Sequence, residues 1–158
     1  MARFVARWQM TDDEIMALAL AEAEAAAGRG EVPVGAALVS ADGRLLARDG
    51  NRVVERSDPT AHAEILVLRA AASTAANERL ADTSLFVTLE PCAMCAAAAS
   101  FARVSRVVFA ADDPKGGAVL HGPLFFAQPT CHHRPKVQRA GDAAAAGALL
   151  KNFFRARR

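Results

Sequence analysis

Residues 84–95 read Ser-Leu-Phe-Val-Thr-Leu-Glu-Pro-Cys-Ala-Met-Cys, an apolar strand-like run that ends in a proline followed at once by two cysteines three apart. Proline is favoured at the first position of a helix, so Pro91 marks the start of one, and the spacing predicts that it runs from Cys92 to Ala102. Residues three apart on a helix lie on one side, so the two thiols face the same way. A helix N-terminus also favours thiolate, because its free N–H groups and dipole stabilise negative charge. The chain must therefore fold so that a strand end delivers a pair of activated sulfurs to one place.

The flanking pattern predicts the rest of the scaffold. Thr11 is a helix N-cap, Asp12, Asp13 and Glu14 occupy the first turn, and Ile15, Met16, Leu18, Ala19 and Ala23 recur at helical spacing until Gly28 and Gly30. Val34 to Val39 reads as a buried strand, Ala41-Asp42-Gly43-Arg44 as a turn, and Leu45 to Arg48 as the start of a partner strand running towards Asn51. A second helix is expected over residues 61–76, a third strand over 84–89 and a fourth over 106–110. Residues 112–141 are rich in Gly and Pro, with a short fifth strand near Val137, and a last helix is expected from Ala143 to Arg157. Strands alternating with helices imply one α/β layered domain over residues 1–158.

Composition narrows the class. No apolar run approaches the roughly 20 residues of a membrane span, and no long apolar stretch follows Arg3 and Arg7, so neither a membrane protein nor a secretory leader is expected. Residues 1–10 read as a disordered, dispensable extension with Met10 as an alternative start, and the expected location is the cytoplasm. Three cysteines, an odd number, argue against a disulfide framework. The net charge of +2 hides an asymmetry: residues 1–100 hold nine Lys/Arg against fourteen Asp/Glu, whereas residues 101–158 hold ten against three. A basic C-terminal third suits phosphates, although a solvated helix face and tail would look the same.

A further trio, His62-Ala63-Glu64, stands at the start of the second predicted helix. One imidazole and two thiolates make three metal ligands, and zinc held by three protein ligands with an open fourth position lowers the pKa of bound water to about 7. His62, Cys92 and Cys95 are the candidate ligands of one Zn2+ per chain, and Glu64, two residues beyond the histidine, is the candidate proton carrier. Taken singly, a histidine or a Cys-x-x-Cys pair has many uses. His-x-Glu followed by Pro-Cys-x-x-Cys is the signature of the zinc deaminases that act on nucleobases.

The chain further resembles the bacterial tRNA-specific adenosine deaminases over nearly its whole length. The likeness is carried by residues 31–36 (Glu-Val-Pro-Val-Gly-Ala), Gly50-Asn51-Arg52, residues 58–65 (Asp-Pro-Thr-Ala-His-Ala-Glu-Ile), residues 87–92 and Phe153-Phe154-Arg155. That resemblance implies a cytidine-deaminase-like fold, three α/β/α layers around a central mixed five-stranded sheet. It implies hydrolysis of the wobble adenosine of a tRNA(Arg) anticodon loop to inosine, and a homodimer. By the same resemblance Asn51, Asp113 and Lys115 bind substrate, and Phe154 and Arg155 belong to a final helix whose basic end touches the anticodon loop. Read without it, Asn51 is a residue closing a hairpin, and Phe153 and Phe154 are core aromatics. Residues 119–126 and 130–133 depart from the familiar pattern, and Cys131-His132-His133 raises the question of a second metal, which a loop cluster without a fourth ligand answers poorly. Three rivals follow: a free nucleobase or nucleoside deaminase on the same scaffold, a non-catalytic zinc-stabilised nucleic-acid-binding module, and a redox protein using Cys92 and Cys95 as a dithiol.

Overall fold

Helix α1 spans Asp12–Gly28 and is followed by a hairpin of β1 (Gly35–Val39) and β2 (Leu45–Gly50). Helix α2 (Ala63–Ala75) leads to β3 (Ser84–Leu89), α3 (Ala93–Phe101) and β4 (Arg106–Ala111). A single 3-10 turn at Phe125–Ala127 interrupts the long loop before β5 (Lys136–Arg139) and α4 (Ala143–Arg155). This computed structural model describes residues 9–158, so the expected N-terminal extension lies, apart from its last two residues, outside the described residues.

The sheet is mixed and ordered β2-β1-β3-β4-β5. Strand β1 runs antiparallel to both β2 and β3, and β3, β4 and β5 are parallel. Helices cover both faces, and the strands alternate accordingly. Ala36, Leu38, Leu85, Val87, Val107 and Phe109 pack under α2 and α3 with Ala63, Val67, Ala96 and Ala99. Ala37, Val39, Phe86, Val108 and Ala110 face the other way, against Ile15, Met16 and Ala19 of α1 and Ala146 of α4. A sheet buried on both faces reads as near-continuous apolar runs, which is how its inner strands read. The result is the expected three-layer α/β/α arrangement with a central mixed five-stranded sheet.

Thr11 caps α1 as expected: its hydroxyl accepts from the Glu14 N–H, and the Glu14 carboxylate accepts from the Thr11 N–H. Two helix starts differ by a residue or two from the sequence reading. Cys92 and His62 are the N-caps of α3 and α2, with extended backbones (ψ 174° and 150°), so Pro91 precedes the cap instead of opening the helix. The Pro91 carbonyl accepts instead from the Ala118 N–H, fastening the long loop to the strand end. A cap residue swings its side chain across the helix end, where the first free N–H groups point.

Candidate metal centre and cleft

The two caps meet. Nδ1 of His62 lies 3.7 Å from Sγ of Cys92 and 3.5 Å from Sγ of Cys95, and the three atoms all lie within 4.8 Å of one another. With Zn–S near 2.3 Å and Zn–N near 2.0–2.1 Å, a tetrahedral ion separates N from S by about 3.6 Å. The donor set therefore fits a tetrahedral metal in both chemistry and spacing. Among the described residues it is the only His/Cys/Asp/Glu cluster whose ligand atoms come together in this way.

The electrostatics point the same way. Cys92 is drawn down to about 4: Cys95 donates a hydrogen bond to it and, against the upward push of burial, His62 adds to the effect. That same bond to Cys92, together with burial and the nearby Glu64 carboxylate, pushes Cys95 upward. The bare pair thus holds one negative charge readily and resists a second, which a divalent cation would offset. His62 is raised through its hydrogen bond to Cys92.

Glu64 sits at the second position of α2, 3 % exposed, with Oε2 3.4 Å from Sγ of Cys95. Burial lifts its carboxyl above the ordinary value, the direction that suits a group alternately taking and returning a proton near neutrality. It is not one of the clustered donors, so a metal held there would have three protein ligands and room for a further ligand beside a carboxyl.

His62, Glu64 and Cys92 line a cleft of about 560 Å³, with Cys95 fully buried beside them. Asn51 lines it, buried, with Oδ1 accepting from the Ala63 N–H at 2.8 Å at the first turn of α2. That bond joins the hairpin end to the helix start and leaves the amide NH2 to the cleft. Asp113 also lines it, although its carboxylate accepts from the N–H groups of Lys115 and Gly116 at 3.2 and 3.0 Å. Lys115, Phe154 and Arg155 line an adjoining groove of about 620 Å³, together with Lys151 and Arg158. From α4 and the residues just beyond it, Phe153 and Arg157 reach the metal cleft, the guanidinium 3.4 Å from the ring centre. Sequence reasoning had singled out Phe154 and Arg155 on α4, and gave no role to Glu90. The Glu90 side chain is fully buried and receives the loop that follows β4. Against the pull of burial, the hydrogen bonds from His121 and from the N–H groups of Asp113, Leu120 and Val119 keep its carboxyl below the ordinary range.

The 131–133 cluster does other work. The His133 ring meets the Val104 carbonyl at 2.7 Å, and the Ser100 hydroxyl donates to the His133 carbonyl at 2.6 Å. Cys131 is buried beside Ser100, so the segment ties the loop to the end of α3, and the described residues gather no second metal cluster there.

The chain matches the MafB19-like deaminase family over residues 10–158. A tRNA-specific adenosine deaminase of Agrobacterium fabrum is 54% identical over 143 residues, 90% of this chain and 93% of that one. The chain belongs to the tRNA-specific adenosine deaminase family. A structure from studies of A-to-I editing by tRNA deaminases at the wobble position of transfer RNA superposes with TM-score 0.78 at 58% identity, covering 80% of this chain and 96% of that one. A guanine deaminase from Nitrosomonas europaea shares the fold at TM-score 0.70 with 25% identity, over 90% and 84% of the two chains. The chain is a deaminase, and its His/Cys cluster stands where α2 and α3 begin. No helix among the described residues is long and apolar enough to cross a membrane.

Proposed function

We propose that this deaminase converts the wobble adenosine of a tRNA anticodon loop, that of a tRNA(Arg), to inosine by hydrolysis. The observation that carries the reading is the meeting of His62, Cys92 and Cys95 beside the buried Glu64 at the floor of an open cleft. When bound by those three side chains, one zinc ion per chain would supply water that ionises near neutrality. Glu64 takes one proton from the attacking water and delivers it to N1 of the adenine ring. It then takes the second from the hydroxyl formed on C6 and passes it to the amino group, which leaves as ammonia while the oxygen stays as the C6 carbonyl. Asn51 offers its amide to the ring or ribose of a nucleotide turned out of its stack. An anticodon loop makes that turning cheap, because its bases are unpaired. Asp113 lines the same cleft. Lys115, Phe154 and Arg155 lie one groove further out, where a charged and partly apolar surface suits the phosphates and bases on either side of the target nucleotide.

The same reading places the enzyme in the cytoplasm, with its substrate, as a homodimer. Support for the dimer comes from the outer face of α2 and α3, an apolar groove of about 410 Å³ that includes Ile65, Leu68, Ala72, Leu80, Ala98 and the 75 %-exposed Phe101. Incubation of the purified protein with total cellular tRNA, followed by digestion and a search for inosine, tests the substrate. Glu64→Ala is expected to keep one zinc per chain while turnover falls by about 10²–10⁴. A variant that deaminates normally would remove Glu64 from the mechanism, and inosine-free tRNA alongside deaminated free guanine would move the substrate to the free base.

A further inference from the structure

We propose that Glu90 is a positioning residue that sets the substrate wall of the cleft by gathering the loop after β4 around one buried carboxylate. The inference rests on the reading that the cleft takes a nucleotide of an RNA loop.

Glu90 follows β3 directly and stands two residues before a metal ligand, yet it is not among the clustered donors. Its side chain is wholly buried. A buried carboxylate is expensive unless it is fully paired, and this one is paired entirely with one loop. Oε2 accepts from the backbone N–H groups of Val119, Leu120 and His121 at 3.2, 3.0 and 3.2 Å. Oε1 accepts from the N–H of Asp113 at 3.2 Å and from the His121 ring at 2.7 Å. Residues eight apart in sequence are thus drawn to one side chain. Gly117 shows how closely: a Cβ there would overlap Oε2 of Glu90 and lie 2.5 Å from the Asp113 carbonyl oxygen. The turn so closed carries Asp113 and Gly116 onto the cleft, which Asn51 and His62 line as well. The acid–base step does not call on Glu90, so its effect should fall on how well substrate is held.

Glu90→Gln makes a selective test. Glutamine has one acceptor oxygen. Placed at the Oε2 position it retains the three N–H groups of residues 119–121, and its NH2 can donate to a neutral His121 ring. The Asp113 N–H alone then faces a donor and loses its partner. The expected result is one zinc per chain, kcat on an anticodon stem-loop within about threefold of wild type, and KM raised about tenfold or more. Amide exchange should quicken at Asp113 while residues 119–121 stay protected. His121→Gln, which leaves the carboxylate in place and changes one partner, should raise KM by a smaller factor and stands in should the Glu90 variant fail to fold. A tenfold loss of kcat at unchanged KM would show that Glu90 acts on the chemistry, and unchanged KM in a folded variant would show that the loop does not set binding; either overturns the proposal. Wild-type protein inert on the stem-loop would sink the substrate reading alone, because exchange at Asp113 still decides whether Glu90 holds the wall.

Discussion

Cys92 and Cys95 differ in a way their spacing alone does not announce. One is partly buried at a helix cap and drawn down to about 4; the other is fully buried and pushed up by its neighbour. In metal-free protein Cys92 should therefore be thiolate throughout the neutral range. Its alkylation by iodoacetamide is expected to change little between pH 6 and 8, where an ordinary thiol with a pKa near 8.5 gains about tenfold per unit. Zinc should suppress the reaction. Mass spectrometry of the modified peptide measures both, and a rate that climbs tenfold per unit would show that Cys92 has the pKa of a free thiol. The four residues of the centre were legible in the sequence because the chemistry prescribes both their types and their places at helix starts. Phe153 was legible as part of the final helix and as a core aromatic, but its place at the cleft beside Arg157 was not, for a geometric reason. Neighbouring helix residues point about 100° apart, so a shift of one position decides which groove a side chain enters. Glu90 escaped because a carboxylate that receives backbone N–H groups leaves no mark of spacing in a linear sequence.

At the scale of elements, helix α1 determines where the cleft wall stands. Ala19, Ala23 and Ala26 are fully buried, and the strands beneath them carry Gly35 and Gly50, paired opposite each other in the hairpin. A Cβ on Gly35 would overlap the Ala19 carbonyl oxygen and lie 2.6 Å from the Ala23 nitrogen, and one on Gly50 would lie 2.5 Å from the Glu22 carbonyl oxygen. The helix backbone thus rests directly on the ends of β1 and β2. Asn51, the residue after Gly50, is held there by donating its N–H to the Val34 carbonyl. Gly35→Ala forces backbone apart and not merely a flexible side chain, so a cost of about 3 kcal/mol or more is expected. For a domain of this size that is a fall in melting temperature of roughly 10 °C, measurable by calorimetry; an unchanged melting temperature would mean that α1 rides higher on the sheet than described. The elements themselves were legible from the apolar period and the turn residues. The closeness of this packing was not, since glycine opposite alanine looks the same in sequence whether it serves a turn, a strand end or a contact.

Among the described residues two surfaces stand out for partners, on different sides of the fold. The face of α2 and α3 is mostly apolar, with Arg69 and Glu78 among its lining residues and Phe101 exposed on it, so Phe101→Glu should turn a dimer into a monomer in sedimentation without removing zinc; a variant that still sediments as a dimer would place the interface elsewhere. The basic C-terminal third resolves into a groove in which Lys115, Lys151, Arg155 and Arg158 surround the half-exposed Phe154. Its two acids are already engaged. Asp112 is paired with Arg139 at 2.8 Å, and Asp113 is turned back on its own loop. The cations are thus left to an outside anion. Each phosphate contact with a single strand contributes about 0.7 to the slope of log affinity against log salt, so four contacts predict a slope near 3 for the anticodon stem-loop. Replacing Lys151 and Arg155 by Ala should lower that slope by about 1.4 and raise KM at low salt, with kcat little changed, because His62, Cys92 and Glu64 line the neighbouring cleft. Steady-state assays of wild type and variant over a range of salt concentrations measure it. Equal slopes would mean that RNA passes over another face, and the charge asymmetry of the chain would then be a matter of solubility alone.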